Sequence, residues 1–314
     1  IFLSSVLSFI SLYLIDDIAL DLFGKRVAII SSWIYVICPY TIFFAISGSM
    51  THYVLLGTNL SFWIVLKSKL FYKSKYLKNK KNISKYCLML GFCCLYLSSL
   101  RPSGAIYSIS LISISLILLF YRYRPIGYRL MLSYSFLVSI LFYSLYQLHL
   151  TSAYIDFALE IFKNEPGYFF GVKREILRER IIVEPKLSLD FLKNFVFKIM
   201  WKISDFFSGI NDIRDTHTEF NQSLYQPPLF PFLIRVFSGL FYFFPINIVS
   251  LLGIIKFRRK IYSSGLWILF ICILITLSPS LLGVASNRYL YMLFTPFIIF
   301  SASIFSEIIF VQKN

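Results

Sequence analysis

The sequence predicts an all-α fold, a polytopic bundle of about nine transmembrane helices with a partly helical extracytoplasmic segment. Three observations indicate this class. Of the 314 residues, 58% are hydrophobic and the mean hydropathy is +0.72, more apolar than a typical soluble domain. Several apolar runs approach the roughly 20 residues that cross a bilayer. Aromatic residues make up 19% of the chain, as expected where many lie at membrane interfaces.

The apolar runs divide the chain into three parts. Residues 1–150 hold N-terminal membrane helices, residues 151–231 form an extracytoplasmic segment, and residues 232–314 hold C-terminal membrane helices. The third and fourth predicted spans are short, which indicates either tilted helices or boundaries displaced by a few residues. The predicted spans are residues 1–15, 27–48, 50–66, 86–100, 104–121, 130–150, 232–255, 264–282 and 289–311.

Basic residues follow every second predicted span. The loops after spans 1, 3, 5, 7 and 9 carry most of the 31 Lys and Arg residues, and alternating spans put all of these loops on one side. By the positive-inside rule that side is the cytoplasm, so the C-terminus is predicted to be cytoplasmic. The net charge of +16 then reflects membrane topology, and no nucleic acid is expected as a partner.

The segment 151–231 is too long for a plain connector and is expected to carry structure or function. Residues 189–207 predict an amphipathic helix that either lies in the membrane plane or packs within a small domain. Asp156 and Glu160 are spaced i and i+4 at the start of the segment, on the outer side, and either is a candidate for a general base.

Outside that segment, only three basic residues fall at the predicted outer boundary: Arg101, Arg235 and Arg288. Arg288 lies between Asn287 and Tyr289. A guanidinium grips phosphate oxygens at two points, so a lipid phosphate is the predicted partner of Arg288 and Arg101. The alternative is that these side chains only reach toward lipid headgroups.

The loop at Arg101 is a tight apex in which Pro102 fixes φ and Gly104 is expected to permit a turn. His52 lies at the outer end of the third span, where it either contacts substrate or serves the fold. Asp16 and Asp17 end the first span on the cytoplasmic side, and a solvated helix end is favoured over a metal or base site.

No metal-ligand spacing is present, since the three histidines are far apart and HExxH does not occur. The pattern requires no cofactor, and a divalent cation is left open.

Three stretches carry a family resemblance: residues 22–26 (LFGKR) with the following helix to Pro39, residues 100–104 (LRPSG), and residues 287–289 (NRY) followed by Pro296. They resemble the GT-C glycosyltransferases that use polyprenyl-phosphate sugars, in particular bacterial relatives of protein mannosyltransferases (glycosyltransferase family 39). The resemblance implies an integral enzyme of a bacterial cell membrane. Such an enzyme moves a sugar from a polyprenyl-phosphate carrier to a glycan, lipid or protein acceptor on the extracytoplasmic side.

The resemblance also implies roles for individual residues. In that family an arginine near the C-terminus binds the lipid-linked phosphate, and Arg288 matches it. The catalytic base is an acidic residue of the first outer loop. Predicted span 1 matches the family's second span, so this acidic motif is expected upstream of Ile1. The family often has an acidic residue near residues 49–53, where this chain has His52.

Two other functions fit a polytopic chain with outer arginines. One is an O-antigen-type polysaccharide polymerase, which the balanced charge of residues 151–231 disfavours. The other is a transporter or flippase for lipid-linked sugars, which would place charges within the spans, whereas this chain keeps them at the boundaries. A membrane scaffold without catalytic activity is also left open.

Overall fold

The structure, a computed structural model, describes residues 2–39, 41–42, 51–68, 80–122, 128–150, 239–282 and 292–311. The regular secondary structure of these residues is entirely helical, and they contain no strand. The prediction of an all-α chain is thus confirmed for the described residues. The predicted segment 151–231 lies outside them.

Ten α-helices are described. The N-terminal six are α1 (Phe2–Phe23), α2 (Lys25–Val36), α3 (Thr51–Ser68), α4 (Lys80–Leu100), α5 (Pro102–Arg122) and α6 (Tyr128–Leu150). A π-helical turn, Gly239–Phe243, then leads into α7 (Phe244–Lys256), α8 (Arg258–Ser263), α9 (Trp267–Leu282) and α10 (Phe294–Val311).

Three stretches are long and apolar enough to cross a membrane: Ile83–Leu100 in α4, Pro102–Tyr121 in α5 and Met131–Leu150 in α6. Shorter apolar stretches occupy α7, α9 and α10. The membrane character of the chain therefore rests on three helices among the described residues, and the count of nine spans stays a prediction.

The boundaries of α1 differ from those of the first predicted span. The helix does not end at residue 15; it continues through Asp16 and Asp17 to Phe23. Gly24 follows with φ of 88°, a left-handed conformation that glycine adopts without strain, and α2 begins at the next residue. The helix tolerates its two carboxylates because both have hydrogen-bond partners on neighbouring helices.

The helices pack into one connected bundle. α4, α5 and α6 pack against one another, α3 joins them to α1, and α9 packs on α5. α10 contacts α1, α2 and α7. A Cβ added at Gly253 of α7 would lie 2.4 Å from the carbonyl oxygen of Phe300 in α10, so these two helices touch through their backbones. Close approach at small residues is typical of membrane helix pairs.

Contacts between helix termini bring several of them together at one end of the bundle. Asp21, near the end of α1, lies 2.7 Å from Lys67 at the end of α3. The guanidinium of Arg26, at the start of α2, lies 4.7 Å from the ring centroid of Phe310 at the end of α10. Lys256, the last residue of α7, pairs with Glu307 of α10. We call this the basic end.

The same end includes the starts of α4 and α6. Cys93 of α4 donates a hydrogen bond to the carbonyl of Gly57 in α3 (3.1 Å). This contact joins the first half of α3 to the second half of α4. α3 and α4 therefore run antiparallel. Ser84 and Ser133, near the starts of α4 and α6, are 2.6 Å apart. This arrangement agrees with the predicted alternation of spans for the described helices.

Large apolar side chains are exposed along the outside of the bundle, on α1, α2, α6 and α9 among others. An apolar surface of this extent is uncommon on a soluble monomer and is what lipid chains cover. Examples with more than half of their area exposed are Phe2, Phe9, Tyr13, Trp33, Phe142 and Leu274.

Candidate functional site

The end of the bundle opposite the basic end is the candidate site. Because α3 and α10 end at the basic end, they begin here, and because α4 and α6 begin at the basic end, they end here. α8 follows the end of α7 at the basic end, and α9 starts beside α8. α9 therefore also runs from the basic end toward the candidate site. Asn287, Arg288 and Tyr289 join α9 to α10 and lie outside the described residues.

Arg101 is the single residue between α4 and α5, and it is half-buried. Its carbonyl accepts the backbone N–H of Ala105 (3.1 Å), which is the first turn of α5. Pro102 takes the first helical position, where its fixed φ suits the helix and its missing N–H costs nothing. The predicted tight apex is therefore present.

Gly104 serves that apex in a different way from the one predicted. It lies inside α5 and forms no turn. A Cβ there would lie 2.0 Å from the carbonyl oxygen of Leu97, so α4 and α5 are in backbone contact one turn from Arg101. Glycine is needed for this close approach, which holds the backbone on both sides of Arg101 in place.

Neutral polar groups line α4 and α6 beside Arg101. Ser98 and Ser144 share a hydrogen bond of 2.7 Å in the interior. Ser99 lies 3.1 Å from the hydroxyl of Tyr143, which accepts a hydrogen bond from the Gln147 amide (2.9 Å). The Ser99 pair is exposed at the surface of the bundle. Hydroxyl and amide groups of this kind match the hydrogen-bonding groups of a sugar or a lipid headgroup.

His52 lies one residue into α3, and only 2% of its area is exposed. Its Nε2 donates to the carbonyl of Thr41 at 3.2 Å, a contact that ties α3 to the chain that precedes it. This is a structural contact, and the contact of His52 with substrate stays a prediction.

A buried hydrogen bond joins α3 to the start of α10. The Thr295 hydroxyl donates to the side-chain oxygen of Asn59, and both residues are almost fully buried. The Asn59 amide nitrogen has no hydrogen-bond partner among the described residues. The bond fixes the first turn of α10, the helix that follows Arg288.

The basic end contains a second polar cluster. Asp17 accepts a hydrogen bond from the Trp63 indole (2.6 Å) and lies 3.0 Å from Lys67, which also pairs with Asp21. Asp16 accepts from Ser32 at 2.9 Å. The interpretation of Asp16 and Asp17 as a solvated helix end does not hold, because both carboxylates link α1 to its neighbours.

The charges around Lys67 also alter its protonation. Burial lowers the pKa of Lys67, but its hydrogen bonds to Asp21 and Asp17 and their negative charges outweigh burial and leave the pKa raised above 10.5. Lys67 lies just beyond the predicted third span, so the pair is accessible to water at one side, with 28% of the lysine side chain exposed. The cluster acts as a link between α1 and α3.

Several predicted site residues lie outside the described residues. Arg288, Asn287 and Tyr289 are among them, as are Asp156 and Glu160, so their roles stay predictions. Arg101 and His52 are described, and both belong to the end opposite the basic residues. Within the described part of the chain, no group of three or more His, Cys, Asp or Glu could hold a metal ion.

Two contacts between distant helices were not predicted from the sequence: Asn59 with Thr295, and Asp17 with Lys67. Asn59 and Thr295 are 236 positions apart, and nothing in either local sequence signals the pairing. The link between Asp17 and Lys67 has a weak sequence signal, because the two oppositely charged residues lie just beyond the ends of two predicted spans on the same side.

No protein-family model, curated protein or solved structure matches this chain. The resemblance to GT-C glycosyltransferases therefore rests on the three short stretches described above.

Proposed function

We propose that this protein is an integral-membrane glycosyltransferase that moves a sugar from a polyprenyl-phosphate carrier to an acceptor at the end of the bundle opposite the basic end. The proposal places the basic end in the cytoplasm and the reaction on the extracytoplasmic side of a bacterial cell membrane. The observation that carries it is the position of Arg101, a half-buried arginine at the end that the other described Lys and Arg residues avoid.

The separation of charge favours an anionic ligand at the end that carries Arg101. Cations near a membrane favour the cytoplasmic face, so an arginine retained at the other face indicates a role at that face. Binding of a phosphate monoester or diester is such a role, because the planar guanidinium binds two phosphate oxygens at once. The helix before Arg288 ends at this end of the bundle and the helix after it begins there, so the proposal assigns Arg288 to this end as a second phosphate-binding arginine.

The reaction would be a displacement at the anomeric carbon of the donor sugar. An acceptor hydroxyl oxygen forms a bond to that carbon, and the bond to the phosphate oxygen breaks with its electron pair. The hydroxyl proton passes to a carboxylate base, for which Asp156 and Glu160 are the candidates within this chain. Arg288 would stabilise the charge that develops on the departing phosphate, and a low-dielectric boundary strengthens such stabilisation.

The neutral groups beside Arg101 suit the sugar or the acceptor. Ser99, Tyr143 and Gln147 form a hydrogen-bonded chain on α4 and α6 that is exposed at Ser99 and partly buried at Gln147. They carry no charge, so they discriminate by hydrogen-bond geometry and leave phosphate recognition to the arginines. In this proposal Asn287 and Tyr289 flank the phosphate-binding arginine, and His52 supports the start of α3.

The test is transfer of labelled sugar in membranes that contain the intact protein. Membranes are supplied with radiolabelled polyprenyl-phosphate mannose or polyprenyl-phosphate glucose, and the loss of label from the polyprenyl phosphate and its appearance in any other glycan, lipid or protein product are measured. We expect Arg288→Ala to abolish transfer while the protein still inserts. The matched control is Lys85→Ala, which removes an exposed cation from α4 at the basic end and should leave transfer unchanged.

The same assay separates the competing functions. Normal transfer by Arg288→Ala would refute the proposed role of this arginine. A polymerase would ignore these monosaccharide donors and extend diphosphate-linked oligosaccharides. A transporter would move the labelled lipid across the membrane with its sugar–phosphate bond intact.

A further inference from the structure

The short helix α8 lies at the basic end and carries Arg258, Arg259 and Lys260 in succession, all exposed. Lys256 precedes it at the end of α7, and Lys25 and Arg26 begin the adjacent helix α2. We call these six cations, Lys25, Arg26, Lys256, Arg258, Arg259 and Lys260, the α8 patch.

Aromatic contacts bring the two parts of the patch together. Phe23, two residues before Lys25, stacks edge-on against Phe257 with ring centroids 4.9 Å apart. The ammonium of Lys260 lies 4.5 Å from the centroid of the Phe23 ring. The patch is thus a single surface built from α2 and α8 around a shared aromatic centre.

The surface has little negative charge of its own. Glu307 pairs with Lys256, and Arg26 lies against the ring of Phe310. Lys25, Arg258 and Arg259 form no ion pair with any described residue. Partial burial lowers the pKa of Lys260, as expected where cations share a surface with apolar groups. The charge of the patch is largely left for a ligand outside the protein.

The position of α8 puts this charge at the level of a membrane surface. The helix lies between α7 and α9 in the chain, both of which are apolar, and its own residue Ile261 is buried. Tyr262 and Trp267 stack at 6.1 Å on its far side, and more than half of Tyr262 is exposed. Tyrosine and tryptophan in such positions lie among lipid headgroups.

We propose that the α8 patch binds the phosphodiester headgroups of anionic phospholipids. Exposed cations are placed beside apolar helices and interfacial aromatic rings, which fits a lipid better than a soluble anion or nucleic acid. Juxtamembrane Lys and Arg clusters attract anionic lipids by the same physics. The inference is independent of the proposed sugar transfer, which takes place at the other end of the bundle.

The experiment titrates the purified intact protein, in neutral detergent, with phosphatidylglycerol or phosphatidylcholine and counts retained lipids by native mass spectrometry. We expect the wild type to retain phosphatidylglycerol preferentially. The variant Arg258→Gln/Arg259→Gln should lose about 30-fold in apparent affinity for it, from two lost cations. The variant Arg258→Lys/Arg259→Lys should retain most of the affinity, because charge is kept.

The matched control is Lys81→Gln/Lys85→Gln, which removes the same charge from the first turns of α4 at the same end. It should leave phosphatidylglycerol binding unchanged. Equal losses in both double variants, or no preference in the wild type, would overturn the proposal. Displacement of the lipid by millimolar inorganic phosphate would also overturn it, by showing a site for small anions. Sugar transfer is not measured, so failure here leaves the proposed function untouched.

Discussion

The two ends of the bundle are held together by different chemistry. The basic end adds ion pairs to neutral contacts such as the Ser84–Ser133 hydrogen bond: Lys67 pairs with Asp17 and Asp21, and Lys256 pairs with Glu307. The opposite end uses neutral hydrogen bonds and backbone contact, as between Ser98 and Ser144. Arg101 is the one Lys or Arg among the described residues of that end.

This difference has a physical reason. Ion pairs that water reaches are weak and form over a range of geometries. They are therefore compatible with an end that carries many Lys and Arg residues. Buried hydroxyl and amide bonds are directional, and breaking one leaves an unsatisfied group. The contacts at the opposite end therefore depend more strongly on their geometry than the ion pairs of the basic end do. The comparison predicts that mutations at the opposite end lower the stability of the protein more than mutations at the basic end do.

The largest effect is expected at Gly104. Its substitution by alanine forces a Cβ against the carbonyl oxygen of Leu97, a backbone atom that cannot move aside. Overpacking of this kind costs about 3 kcal/mol. The measurement is the apparent thermal stability of the detergent-solubilised protein.

Gly57→Ala is the matched control, because its Cβ also meets Leu97 but at side-chain atoms, whereas the Cβ at Gly104 meets the backbone of Leu97. A side chain can move further than a helical carbonyl group, so the loss of stability should be smaller. Equal losses at the two glycines would show that backbone contact between α4 and α5 is not the cause.

The next largest effect is expected at Thr295. Thr295→Val keeps the shape of the side chain but leaves the buried oxygen of Asn59 without its donor. An orphaned buried acceptor costs about 2 kcal/mol. Because this bond fixes the start of α10, sugar transfer by the variant should also fall.

The double variant Asn59→Leu/Thr295→Val distinguishes the stability lost by leaving a polar group unsatisfied from the stability lost through altered packing. Once both polar partners are gone, no group remains unsatisfied, and stability should recover part of what Thr295→Val lost. A double variant whose loss equals the sum of the two single losses would contradict the pairing.

A smaller effect is expected at Lys67. Lys67→Gln removes both ion pairs, and after discounting for solvent screening the cost is about 1 kcal/mol. The loss should shrink in high salt, unlike the loss at Thr295. Lys85→Gln, at the same end, is the control and should change stability little. A salt-independent loss at Lys67 would contradict the comparison between the two ends.

The smallest effect concerns pH. The pKa of Lys67 is raised in the folded protein, so its stabilisation is fully present below 10.5 and is lost only as pH rises through the raised value. The stability difference between wild type and Lys67→Gln should therefore stay constant from neutral pH to pH 10. A difference that declines within that range would contradict the raised pKa.

Much of the helical framework followed from local sequence. α5 and α6 lie within a few residues of the predicted spans because an apolar run of sufficient length has one stable form in a membrane. The bounds of α3 also lie within a few residues of its predicted span. The end of α1 was misjudged, because Asp16 and Asp17 looked like the boundary of a helix. Their partners, Ser32 and Trp63, lie on other helices and were invisible to local reasoning.

The candidate site was predictable only in part. The tight apex at Arg101 was anticipated from Pro102, whereas the reason for Gly104 was not, since a close approach to Leu97 depends on how α4 packs on α5. His52 was placed at the correct end, but its burial against Thr41 required the fold.

By itself, the sequence determined the helical class, the membrane character and the segregation of basic residues to alternate loops, because hydrophobicity and charge act locally along the chain. The tertiary structure decided which polar residues meet. Asn59 with Thr295, Asp17 with Lys67, and Lys260 over Phe23 are encounters between distant segments, and only packing brings them within hydrogen-bonding or electrostatic range.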